Sequence, residues 1–180
     1  MNFAGISKEK GDTWPKILHY NNARYADKIA MRSKRYGIWR KHTWADYYVE
    51  VKYLALGLKA LGMEPGNRVA VIGDNAFQWY CAQLAIQSNL GIAAGIYSDL
   101  SPQEIKYILV QSQARYAIVE DQEQVDKLLQ VLPDLRLLKK IICWNYKGMS
   151  HYQQDILAGY EEVLTLGRQS ESAADKFPGI

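Results

Sequence analysis

From residue 68 to residue 144 the chain keeps a beat that restricts the folds open to it. Runs rich in Val, Ile and Ala, at residues 68–72, 92–97, 115–119 and 139–144, alternate with segments whose apolar residues recur at helical spacing. Those segments carry Phe77, Cys81, Leu84 and Ser88, then Ile105, Ile108 and Leu109, then Val125, Leu128, Leu129 and Leu132. The apolar runs are nearly continuous rather than alternating, which reads as strands buried on both faces. Strands that alternate with helices are joined by parallel crossovers. The expected class is α/β: a mostly parallel sheet with flanking helices, built from βα units that share a pattern but no repeated residues. Ser101-Pro102-Gln103-Glu104 is the clearest helix start, with Ser as cap, Pro in the first turn and Glu closing the box.

Upstream of the beat, residues 29–32 and 38–42 read as a short β-hairpin around Lys34-Arg35-Tyr36-Gly37, preceded by a polar start. Thr43 offers an N-cap with Asp46 three residues on, and Tyr47, Val51, Leu54, Leu58 and Leu61 form one apolar helix face. Gly62 and Pro65-Gly66 end that helix. Downstream, residues 145–152 are turn-like and residues 156–166 read as a short helix. Residues 1–168 are therefore expected to form one subdomain, and residues 169–180 a polar tail or linker.

At 180 residues the chain suits a single core, and its net charge of +3 is spread over Lys34–Arg35, Arg40–Lys41 and Lys139–Lys140 without a dense patch. No nucleic-acid partner is expected. The aromatic and basic residues between Arg32 and Tyr48 invite comparison with a stacking surface for single strands, but strand residues packing on the following helix are the favoured reading. Cys81 and Cys143 fall within apolar periodic segments, as small buried hydrophobes of a reducing compartment do. The first residues carry no apolar or Arg-rich targeting pattern, and no window approaches the roughly 18 apolar residues of a spanning helix. A cytoplasmic location is expected, with peripheral membrane contact left open.

Chemistry-bearing motifs are sparse. No G-x-G-x-x-G follows a strand, and the glycine spacing from Gly57 to Gly62 is followed by Met63 where a phosphate loop needs Lys. Gly91-Ile92-Ala93-Ala94-Gly95 reads as a close-packed central strand. His19, His42 and His151 have no carboxylate or Cys at ligand spacing, so neither a metal site nor a catalytic residue is assigned. Two loops remain as weak substrate-cleft candidates. Asp74-Asn75 follows the 68–72 strand, where it either caps the next helix or faces a ligand at the carboxyl edge of the sheet, readings that are compatible. Tyr97-Ser98 occupies the equivalent edge of the next strand, lining a cleft or packing against further structure.

Four segments in order carry a resemblance: DKIAMRSKRYGIWRKHTWADYY, LALGLKALGMEPGNRVAVIGDN, QWYCAQLAIQSNLGIAAGIYSDLSPQEIKYIL and VEDQEQVDKLL. Together they resemble the N-terminal part of AMP-forming acyl-CoA synthetases, the adenylate-forming enzymes, in their long-chain fatty-acid branch. The resemblance spans residues 13–168 and is collinear. Asn67, often Asp in the family, and Ser98, often Pro, depart at turn positions. In that family the Thr-Trp segment opens the first helix and the Gly-Asp-Asn segment follows the first strand of a parallel sheet. The resemblance implies a parent ligase that joins a fatty acid to CoA with ATP and Mg2+, through acyl-AMP. It also implies that the phosphate loop, the acidic residues for ribose and Mg2+ and the adenylation lysine lie after Ile180. By that reading this chain is an inactive scaffold that binds no cofactor tightly and, with apolar surface exposed, self-associates. The alternative is a stand-alone α/β module for nucleotide binding or protein interaction.

Overall fold

The computed structural model describes residues 11–35 and 37–171, in which a two-stranded antiparallel hairpin precedes a five-stranded parallel sheet covered on both faces by helices. In chain order the elements are α1 (Trp14–Tyr25), β1 (Ile29–Arg35), β2 (Ile38–Thr43), α2 (Trp44–Ala60), β3 (Arg68–Ile72), α3 (Phe77–Ser88) and β4 (Ile92–Ile96). They continue with α4 (Pro102–Ser112), β5 (Ala114–Val119), α5 (Gln122–Val131), a 3-10 turn (Leu132–Asp134), β6 (Lys140–Cys143), β7 (Leu157–Gly159) and α6 (Tyr160–Glu171). The sheet order is β4-β3-β5-β6-β7.

Strand alternation divides the interior into two cores. Val69, Val71, Tyr116, Ile118 and Ile142 meet α1, α2, α3 and α6, while Ala70, Ile72, Ala117, Val119 and Ile141 meet α4 and α5. Each fully buried Leu or Ile of these cores contributes about 1.5–3 kcal/mol relative to exposure. Both predicted capping boxes form. The Thr43 N–H donates to Asp46 Oδ2 at 2.8 Å and the Asp46 N–H to Thr43 Oγ1 at 3.1 Å. At Ser101 the backbone N–H donates to Glu104 Oε2 at 2.9 Å.

Several expectations change. The polar start contains α1, which buries little beyond Pro15 and Leu18 and so left almost no apolar period to read. It also makes the Thr43-Trp44 helix the second, not the first. β1 runs on to Arg35, so Lys34 and Arg35 belong to the strand rather than the turn, and Gly37 sits in the turn with φ +79°; Tyr36 lies outside the described residues. Residues 156–159 are not helical: Leu157–Gly159 pair with β6, and α6 begins at Tyr160, where Glu162 Oε2 accepts the Gly159 N–H at 2.9 Å. Because α6 extends to Glu171, residues 169–171 belong to a helix rather than a tail, and residues 172–180 lie outside the described residues.

β4 is an edge strand, not a central one, and Ile92 is 53 % exposed. Its small residues answer to a helix ring instead of a neighbouring strand: a Cβ on Gly95 would lie 3.2 Å from the Trp79 ring of α3. The hairpin also departs from expectation. Met31 packs on the core and His42 stacks on Phe77 at 3.9 Å, but Ile38 and Trp39 are exposed rather than laid on α2.

Candidate functional site

Counted within the parallel sheet, the strand order is 2-1-3-4-5, a doubly wound arrangement whose switch point falls between β3 and β5. Ligands of such sheets bind outside the carboxyl ends at that crevice. Here side chains fill it. Gly73, which follows β3 with φ +153°, sits so close to the loop after β5 that a Cβ would lie 2.7 Å from Glu120 Cβ and from the Trp144 ring. The Asp74 N–H donates to Glu120 Oε2 at 2.7 Å, and the Glu120 N–H donates to the Ile72 carbonyl at 2.9 Å.

The open cleft lies one strand over, above β3 and β4. It has a volume of about 540 Å³ and is walled by residues 73–75, residues 95–98 and the Trp79 ring. All four sequence candidates, Asp74, Asn75, Tyr97 and Ser98, line it. Asp74 does not cap α3, whose N-cap is Ala76 with no side-chain bond. Its carboxylate instead accepts the Ser98 hydroxyl at 2.9 Å, tying the loop after β3 to the loop after β4. The Ser98 carbonyl in turn accepts Gln124 Nε2 at 3.1 Å and Lys127 Nζ at 2.7 Å from α5. Tyr97 is left 79 % exposed at the rim.

Glu120, Trp79 and Trp144 were not among the sequence candidates. Glu120 follows β5 as Asp74 follows β3, so equivalence of strand ends was the available signal; nothing local marks either Trp ring.

The electrostatics of this edge are acidic. Burial pushes the Glu120 carboxyl above its usual value, opposed by the Asp74 N–H and reinforced by the Asp74 and Asp121 charges. A phosphate entering between β3 and β5 would therefore meet carboxylates. Lys127 is engaged by the Ser98 carbonyl and by Glu123 Oε1 at 2.8 Å. No group of three His, Cys, Asp or Glu able to hold a metal occurs among the described residues. Cys81 and Cys143 are free and buried, and burial raises both thiols, that of Cys143 to about 11. His42 bonds Ser33 Oγ at 2.9 Å through Nε2, and burial lowers its pKa, a structural placement.

Comparison with known proteins follows the same outline. A family model described as AMP-binding enzyme matches residues 18–175. The long-chain-fatty-acid–CoA ligase ACSBG2 of Xenopus laevis is 32 % identical over 145 residues, 81 % of this chain and 19 % of that protein. The long-chain-fatty-acid–CoA ligase ACSBG1 of Bos taurus is 29 % identical over 153 residues, 84 % of this chain and 21 % of that protein. The chain thus spans about a fifth of the length of these relatives. Among solved structures, the anthranilate CoA ligase AuaEII in complex with anthranoyl-AMP superposes with TM-score 0.73 at 25 % identity, over 84 % of this chain and 27 % of that one. The acetoacetyl-CoA synthetase from Streptomyces lividans, at 21 % identity, shares the fold with TM-score 0.72 over 89 % of this chain and 25 % of that one.

Proposed function

We propose, given that this chain belongs to the AMP-binding enzyme family, that it is the N-terminal part of a long-chain fatty-acid CoA ligase and acts as scaffold for a cleft completed by further sequence. The observation that carries the reading is the match of the AMP-binding enzyme model over residues 18–175, beside 32 % identity over 145 residues to a long-chain ligase. In the reaction proposed for the whole enzyme, a fatty-acid carboxylate oxygen attacks the α-phosphorus of ATP and pyrophosphate leaves. The CoA thiolate then attacks the acyl carbon of acyl-AMP and AMP leaves. Both steps develop negative charge that cationic groups must stabilise.

This chain's residues do not fit that task. The edge between β3 and β5 is acidic, and no set of metal ligands occurs among the described residues, so none of these is assigned to Mg2+. Its contribution is the wall formed by Asp74, Asn75, Tyr97 and Ser98, whose two loops are tied together by the Ser98 hydroxyl on Asp74 and to the loop after β5 by the Asp74 N–H on Glu120. A cytoplasmic place of action belongs to the same reading, and no helix among the described residues is long and apolar enough to cross a membrane.

ATP–pyrophosphate exchange with a long-chain fatty acid tests both halves. A longer protein that continues past Ile180 is expected to exchange, and the 180-residue chain to show none. Exchange by the chain alone overturns its scaffold role, and a longer protein that ignores fatty acids overturns the ligase reading. Saturable micromolar ATP binding by the chain, measured by calorimetry, would instead favour a stand-alone nucleotide-binding module.

A further inference from the structure

We propose that the outward face of the β1–β2 hairpin is a docking site for an anionic lipid surface. Between Asp27 and Asp46 the sequence holds six Lys or Arg and no acidic residue. Along the strand such charges look dispersed, but the register gathers part of them. Arg32 faces Lys41 and Lys34 faces Trp39 across the ladder, and strand alternation puts these four on one side. All four are exposed, whereas Met31 and His42, on the other side, pack toward the core.

Directly opposed like charges destabilise a strand pair. Arg32 and Lys41 are so opposed, and neither they nor Lys34 enters an ion pair among the described residues. An anionic partner converts that repulsion into binding. The apolar component of this face is Trp39, which is 63 % exposed with Lys34 Nζ 5.9 Å from its ring centroid; Ile38, on the other side by the same alternation, is 68 % exposed beside the turn and adds an apolar tip. Trp at headgroup depth, flanked by cations and a short apolar tip, is how peripheral proteins hold a membrane surface. A single-strand nucleic-acid platform needs successive aromatic rings, and among the described residues this face has one, Trp39. The proposal stands apart from the ligase reading, since vesicle binding reads nothing of catalysis.

Co-sedimentation of the full chain with phosphatidylcholine vesicles, with and without phosphatidylglycerol, tests it. Binding is expected only with the anionic lipid, and is expected to weaken as salt is added. Lys41→Glu is expected to lower partitioning about tenfold or more, since each basic residue near the surface counts separately. The same change sets Glu opposite Arg32, an attractive pair, so the thermal midpoint should hold or rise. Arg32→Glu builds that pair in reverse and is expected to give the same loss. Equal binding to both vesicle types, no binding to either, or unchanged partitioning in both variants overturns the proposal. So does a charge-sensitive preference for a single-stranded oligonucleotide over the anionic vesicles.

Discussion

At the scale of single residues, the carboxyl edge of the sheet depends on Gly73. Its φ of +153° is one that side-chain-bearing residues rarely adopt, and a Cβ there meets Glu120 and the Trp144 ring at 2.7 Å. Gly73→Ala combines backbone strain with overpacking, each costing about 1–3 kcal/mol, and is expected to lower the urea midpoint sharply. An Ala variant as stable as the native chain would show that the loop has room to move. Glu50 gives a pH signature. Burial, reinforced by the Glu161 carboxylate, lifts it above its ordinary 4.5. A raised carboxyl holds its proton more tightly in the folded chain, so stability falls as pH rises from the ordinary value through the raised one. Glu50→Gln is expected to be more stable than the native chain at pH 7, with the advantage lost as pH drops below the ordinary value. Equal advantages in urea titrations at pH 7 and pH 4 would remove the carboxyl from the account.

At the scale of elements, α2 and α6 cross with their backbones nearly touching. A Cβ on Gly57 would lie 2.1 Å from the Val163 carbonyl oxygen, and one on Gly167 would lie 1.9 Å from that of Tyr53. Ala is the better helix former by about 1 kcal/mol. Backbone atoms cannot rotate aside as a side chain does, so the clash wins, and Gly167→Ala is expected to cost about 3 kcal/mol despite its propensity. A rise in thermal midpoint would mean that the helices separate without penalty. This contact shows where the sequence stops being legible. Helices with a cap and an apolar stripe, such as those opened by Thr43 and Ser101, declare themselves locally. Gly57 read as half of a failed phosphate loop because its partner lies in α6, a contact no local pattern records. β7 was lost for a related reason: three residues qualify as a strand only beside β6. The cleft divides likewise. Asp74, Asn75, Tyr97 and Ser98 were readable as strand ends, whereas Trp79 enters through the close approach that Gly95 permits.

At the scale of the whole molecule, the sheet order sets what the chain can and cannot present. Entering at β3 and turning first to β4 leaves β4 with a free edge, while β5, β6 and β7 extend the other side. The Ile92 N–H donates inward to Asn67, so alternation turns the N–H and C=O groups of Ala93 and Gly95 outward. Residues 89–98 carry no charge and no Pro, the usual means of discouraging edge pairing. A second copy laid antiparallel along β4 meets no like charge there, and exposed Ile92 and Tyr97 flank the edge. The isolated chain is therefore expected to gain mass with concentration in light scattering. Ala93→Pro deletes an outward donor at an edge position where Pro is tolerated, leaving the bonds to β3 intact. It is expected to hold the chain monomeric with an unchanged far-ultraviolet spectrum. A native chain that stays monomeric at high concentration, or a variant that associates equally, would place the contact elsewhere on the surface or remove it.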